Sequence, residues 1–188
     1  MQKKKIVLAI SGASGSVYAR QLLELLTLRN DCEVALVMSR NARSIWEYEL
    51  GNTHYLNYKH MTWETDNYNA PFASGSSRYE KMIIAPCSMG TLGRIASGIS
   101  DSLITRAADV MLKERRTLIC LVRETPYSLI HIQQMKTVSE AGGIICPATP
   151  SFYSRPQDIE SLIATVTHRV LSLAGLDHAG YRWGEEQE

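Results

Sequence analysis

Arg123 and Glu124 stand directly behind Thr117–Val122, a run that is apolar or nearly so throughout. A run without alternation reads as a strand buried on both faces. Ligands of open α/β sheets sit at the carboxyl ends of such strands. A charged pair placed there costs desolvation energy unless something uses it. Arg123 therefore reads as a ligand for an anion or as half of an ion pair. Glu124 reads as a proton donor or acceptor if burial raises its pKa, or as a structural partner of Arg106 or Arg123. Lys113 follows Arg106 by seven residues, two helical turns, so both share one face. A solvated helix face is the plain alternative, and it is the preferred reading for Arg115 and Arg116. Arg169 lies in the largely apolar stretch TVTHRVLSLA, where a guanidinium near a core face needs an anionic partner. His168 beside it reads as a surface residue. Tyr153, in the loop Phe152–Pro156, offers a hydroxyl or packs in the core.

Small and hydroxyl residues recur after the apolar runs. Gly12-Ala13-Ser14-Gly15 follows the first of them and opens a helix, where amide N–H groups suit a phosphate. The turn lacks G-x-G-x-x-G, and the second strand ends in Ser39-Arg40 instead of an acidic residue for a ribose. It also lacks the G-K-[ST] of a P-loop. NAD and ATP are disfavoured, and a mononucleotide such as FMN stays open. Ser39, Ser88-Met89-Gly90-Thr91 and Ser74-Gly75 would extend one polar crevice. Helix capping is the alternative for Ser88 and Thr91. Glu47 and Glu49, on the helix that holds Trp46, read as a solvated face.

These residues need strands to carry them. The periodicity predicts strands over Lys5–Ile10, Glu33–Met38, Lys81–Pro86, Thr117–Val122 and Gly143–Cys146. Helices are expected over Val17–Leu28, Asn41–Leu50, Ser102–Arg116 with Asp101 as N-cap, Pro126–Ala141 and Gln157–Ala174, and a loop enters a further helix within Cys87–Gly98. Gly51–Arg78 is irregular, a short helix or strand plus loops, and an irregular segment of that length is usually functional. Strands alternating with helices predict an α/β fold, a doubly wound parallel sheet in a single domain over 1–188, with a C-terminal tail from about 175. The formal net charge of +1 asks for neither nucleic acid nor an acidic membrane. No apolar run approaches the ~20 residues of a membrane span, and no signal-peptide pattern opens the chain, so a soluble cytoplasmic protein is expected. The four cysteines form no C-x-x-C pair and have no histidine at metal-ligand spacing, so they read as buried thiols and no metal site is expected.

In order along the chain, ISGASGS, PCSMGT, RAADVMLKERR, LVRETP and FYSRPQ with HRVL downstream resemble the UbiX-type flavin prenyltransferases, long called phenylacrylic or aromatic-acid decarboxylase subunits. The resemblance runs from about Lys5 to Trp183. It implies a Rossmann-like, flavodoxin-type three-layer sandwich assembled into a dodecamer built from trimers. The implied activity is metal-independent transfer of the dimethylallyl group of dimethylallyl phosphate to N5 and C6 of reduced FMN. The product, prenylated FMN, would serve a UbiD-type decarboxylase. By resemblance, Gly12, Ala13, Ser14, Ser39, Ser88, Met89, Gly90, Thr91 and Arg123 match flavin contacts, with Ser14 also near the chemistry. Lys113, Tyr153 and Arg169 match residues that hold the prenyl phosphate; Ser74 and Gly75 match a loop beside it, and Arg106 a basic residue of the site. Glu49 and Glu124 match acidic residues implicated in the chemistry, which replaces the solvated reading of Glu49. Trp183 is a candidate to shield an allyl cation. An FMN-dependent cysteine decarboxylase of the same superfamily is the alternative enzyme, but it needs an asparagine in the turn occupied here by Pro86-Cys87-Ser88-Met89. A non-enzymatic flavin carrier is the other alternative.

Overall fold

The computed structural model describes residues 3–184. Six strands form one sheet in which every pairing is parallel: β1 (Lys4–Ile10), β2 (Cys32–Met38), β3 (Thr62–Trp63), β4 (Tyr79–Cys87), β5 (Thr117–Val122) and β6 (Ile144–Pro147). Their spatial order is β3-β2-β1-β4-β5-β6. The helices are α1 (Ser16–Thr27), α2 (Arg40–Leu50), α3 (Met89–Ala96), α4 (Leu103–Lys113), α5 (Leu129–Glu140) and α6 (Ile159–Leu173). Alternate residues of each strand face opposite layers. Ile6, Leu8 and Ile10 of β1 join Leu22, Leu26, Trp46, Val166 and Val170 in one core. Val7 and Ala9 join Leu92, Ala107, Met111 and Val138 in the other. Both faces of the sheet are thus covered, which is why the central strands carry uninterrupted apolar runs.

The irregular segment holds the short strand and helical turns left open for it, and two helix starts depart from the sequence expectation. The irregular segment contributes a sixth, two-residue strand, β3, paired with Leu36 and Val37 and flanked by 3-10 turns at His54–Met61 and Pro71–Ala73. Ser102, not Asp101, caps α4: its hydroxyl accepts from the Thr105 amide while the Thr105 hydroxyl accepts from the Ser102 amide. That reciprocal box fixes the helix start one residue later. Likewise α5 begins at Leu129 behind a Ser128–His131 box, leaving Pro126 in the preceding turn. All four cysteines are buried free thiols.

One turn demands its glycine. Gly15 sits at φ 116°, and a Cβ there would lie 3.0 Å from the Tyr18 ring. Gly15→Ala is expected to lower stability by about 1–3 kcal/mol, the usual range for a side chain forced into a sparsely populated backbone region. Chemical denaturation of the two proteins measures it directly.

Candidate functional site

The strand order reverses between β1 and β4, so the crevice between their carboxyl ends is the place for a ligand. Ser11 joins its two walls. Its buried hydroxyl donates to the Pro86 carbonyl at 2.9 Å and accepts from the Ser88 amide at 2.8 Å. Sequence reasoning passed over Ser11, although it opens the Gly/Ser turn that was singled out. Ser39 stands beside this crevice, its amide on the Ile10 carbonyl at 3.0 Å. Its hydroxyl caps α2 through the Ala42 amide. Ser88 caps α3 by accepting from the Thr91 amide, and it donates to the Thr91 hydroxyl at 3.0 Å. Capping is therefore present at both serines, and it directs the first amides of α2 and α3 toward the crevice. The Met89 side chain is buried in the core, so only its backbone faces a ligand. Gly90 would meet only Arg94, at 3.6 Å, if it carried a Cβ. Gly12 is small for a structural reason, because a Cβ would stand 2.8 Å from that of Asn41.

Arg123 emerges from β5 at the rim, with its amide on the Cys87 carbonyl and its Nε on the Ser14 carbonyl at 3.1 Å. Glu124 is half-buried and accepts from the Thr125 amide at 3.0 Å. Neither makes the Arg106 or Arg123–Glu124 ion pair that was the structural alternative; Arg106 pairs with Asp109 at 2.9 Å.

Glu49 occupies the start of α1. Its carboxylate accepts from the Gly15 amide at 3.0 Å and the Ser16 amide at 2.8 Å. Burial pushes its pKa up, but the Ser14 hydroxyl and these amides outweigh that and hold it below the ordinary 4.5. The positive end of α1 thus already holds an anion. With a folded pKa below the unfolded one, Glu49 contributes stability above about pH 4.5, and the contribution is lost as pH falls through the folded value. Glu49→Gln is therefore expected to lower the melting temperature at pH 7 and to shrink the acid-side loss. Melting curves across pH 3 to 7 check this, and parallel curves for the two proteins at every pH would contradict it.

The other expected residues form two further groups. Ser74, Gly75 and Lys113 lie toward the opposite, amino end of β4 and β5, and Arg106, two turns before Lys113 on α4, touches the same loop at Ala73. Arg106 Nε donates to the Ala73 carbonyl at 3.0 Å, and Lys113 Nζ pairs with Glu114 beside Gly75. Arg116, read from sequence as solvated, is half-buried and bonds the carbonyls of Tyr79 at 3.0 Å and Gly75 at 2.6 Å. The third group, Tyr153 and Arg169, lines a cavity of about 1360 Å3 between the 147–157 loop, α6 and residues 175–183. Tyr153 is 68% exposed, which excludes core packing, and its ring contacts those of Tyr181 and Trp183. Arg169 and His168 exchange the places expected of them. Arg169 is exposed in the cavity, whereas His168 is half-buried and stacks on His178 at 5.3 Å. Burial and the neighbouring His178 lower the His168 pKa.

Comparison with known proteins supplies the family. A profile described as Flavoprotein matches residues 1–171. The flavin prenyltransferase UbiX of Methanocaldococcus jannaschii is 40% identical, over 96% of this chain and 98% of its own. This chain belongs to the UbiX flavin prenyltransferase family. Among solved UbiX structures, AnUbiX in complex with FMN and dimethylallyl pyrophosphate is 40% identical and superposes with a TM-score of 0.90, covering 98% of this chain and all of that one. A dodecameric FMN-dependent UbiX-like decarboxylase from Escherichia coli O157:H7 is 35% identical with a TM-score of 0.91, covering 96% of this chain and all of that one. An FMN-dependent cysteine decarboxylase, TvaF, is similar to this chain in fold alone, at 15% identity and a TM-score of 0.62.

Proposed function

We propose that this protein is a flavin prenyltransferase that joins the dimethylallyl group of dimethylallyl phosphate to N5 and C6 of reduced FMN. The observation that carries this reading is the crevice at the β1/β4 switch point, on a chain 40% identical to a UbiX protein whose structure is known with FMN and a prenyl donor. The donor set there fits FMN: backbone amides at two capped helix starts, the open backbone at Gly90, the Ser88 and Thr91 hydroxyls, and the Arg123 guanidinium. Reduced FMN supplies the nucleophilic N5 and then C6.

The chain's own groups do the rest. Lys113, Arg106, Tyr153 and Arg169 bind the anionic end of the prenyl donor and stabilise the charge that builds on the departing phosphate. Glu124, on the rim beside Arg123, accepts the proton that C6 loses as the ring closes, while the alkene of the transferred group takes up the proton that N5 gave up on alkylation. Glu49 anchors the Gly12–Ser16 turn through the amides it holds. Tyr181 and Trp183 form an aromatic wall near Tyr153, suited to an allylic carbon bearing positive charge.

One chain does not assemble this site. Lys113 and Gly75 lie at the amino end of β4 and β5, whereas Ser88 and Arg123 lie at the carboxyl end. The eight steps along the nine residues of β4, at about 3.3 Å each, hold those ends ~26 Å apart. A neighbouring copy must bring its Lys113 to the crevice, which supports the reading of the protein as a homo-oligomer, a dodecamer like the Escherichia coli relative. The prenylated FMN would pass to a UbiD-type decarboxylase, and the chain would work in the cytoplasm; no helix among the described residues is long and apolar enough to cross a membrane. The reading is tested by adding the small-molecule fraction of an anaerobic reaction to an apo UbiD-type decarboxylase. Decarboxylation is expected with that fraction and not with FMN alone; equal inactivity of both would contradict it.

A further inference from the structure

Lys113 ends α4, and the chain beyond it turns back sharply. Arg115 adopts φ 57°, its amide bonds the Leu112 carbonyl at 3.1 Å, and the Arg116 amide reaches the Met111 carbonyl at 2.8 Å. This is a Schellman-type ending with an arginine where glycine is usual. It directs the Arg116 guanidinium to the carbonyls of Tyr79 and Gly75, so two hydrogen bonds from one rigid fork tie the Gly75 loop to the start of β4. Gly75 is thereby held against the Lys113–Glu114 pair. A Cβ on Gly75 would stand 2.2 Å from Glu114 Oε1 and 2.8 Å from Lys113 Nζ. The absence of a side chain at Gly75 is therefore what lets the ammonium and the carboxylate meet there. Glu114, in turn, is held below the ordinary carboxylate pKa by the hydrogen bond from Lys113.

We infer that Arg116, Gly75 and Glu114 are positioning residues that aim Lys113 at the phosphate of the prenyl donor. Arg116 clamps the loop, Gly75 leaves the space, and the Glu114 carboxylate holds the ammonium until the donor's phosphate takes it over. The inference rests on the proposed role of Lys113 in phosphate binding. It assigns a task to Arg116 and Glu114 that the likeness to UbiX proteins did not, and it replaces the solvated reading of Arg116.

Steady-state kinetics with dimethylallyl phosphate and separate FMN titrations test it on wild type, Lys113→Ala, Gly75→Ala, Arg116→Ala and Arg116→Lys, with thermal melts alongside. Misaiming the ammonium weakens a contact that the phosphate makes on binding as well as on leaving, so it raises KM and lowers kcat/KM for the prenyl donor. Gly75→Ala and Arg116→Ala are each expected to raise that KM about tenfold with FMN affinity unchanged. Arg116→Lys, which keeps a cationic donor but not the rigid fork, should recover part of the loss. If Arg116→Ala does not fold, Gly75→Ala carries the test by itself, because it removes no hydrogen-bonding group. A rise in KM for Lys113→Ala but for neither Gly75→Ala nor Arg116→Ala overturns the positioning roles alone. Unchanged KM and kcat for the prenyl donor in Lys113→Ala overturn the phosphate role of Lys113 and the positioning roles together.

Discussion

Replacing Glu124 by glutamine is expected to lower the rate of flavin prenylation by about 10²–10⁴-fold, the usual contribution of a positioned acid–base group, and to leave FMN bound. The contrast follows from the geometry. Glu124 accepts one hydrogen bond, from the Thr125 amide at 3.0 Å. The amide oxygen of glutamine can accept the same bond, so the turn behind β5 keeps its shape and Arg123 stays on the Ser14 carbonyl. What glutamine lacks is a basic oxygen for the proton released when the ring closes at C6. Single-turnover mixing with FMN fluorescence as a binding signal separates the two effects. A parallel loss of FMN affinity would make Glu124 a structural residue. An unchanged rate would move the proton to another base, such as the released phosphate.

Two inactive variants are expected to restore activity when they assemble together. Lys113→Ala and Glu124→Gln are each expected to lose at least a hundredfold in rate, at the scale of a missing electrostatic or acid–base group. If Lys113 of one copy serves Glu124 of another, a hybrid oligomer contains sites with both groups intact. Random mixing of equal amounts makes roughly a quarter of the sites whole, since each half is intact with a chance of one in two. Co-expression with two affinity tags, followed by sequential purification, yields hybrids whose activity can be read directly. A double variant carrying both changes on one chain, co-expressed with itself, gives no recovery. Tagged hybrids no more active than their parents would place Lys113 and Glu124 of one chain in the same site, against the separation set by the length of β4.

What was legible in the sequence was the part decided locally. β5 announced itself because burial on both faces requires an unbroken apolar run, and Arg123-Glu124 stood out against it. The Gly12–Ser16 turn was visible because a positive φ and a close approach leave glycine as the permissive residue. β3 was not legible, because two residues become a strand only by pairing with Leu36 and Val37. Asp101 and Ser102 are equally good caps by type; the Thr105 hydroxyl three residues on decided for Ser102. His168 and Arg169 were exchanged because adjacent helix positions face about 100° apart, and the tail residues that cover His168 arrive from a distant part of the chain. Arg116 was missed because its partners are carbonyls of Tyr79 and Gly75, and carbonyls leave no trace in residue type. The grouping of the cationic residues needed the resemblance as well as the spacing. Helical periodicity put Arg106 and Lys113 on one face, but it did not show that Arg123 lies at the far end of the sheet from Lys113.

The mass of the flavin decides the central claim. The purified protein is incubated anaerobically with reduced FMN and dimethylallyl phosphate, and the extracted flavin is analysed by mass spectrometry. The account predicts a flavin heavier than FMN by one C5 prenyl unit, formed by the wild type and not by Lys113→Ala on the same timescale. Bound FMN recovered unmodified would contradict it and turn the protein into a carrier of flavin.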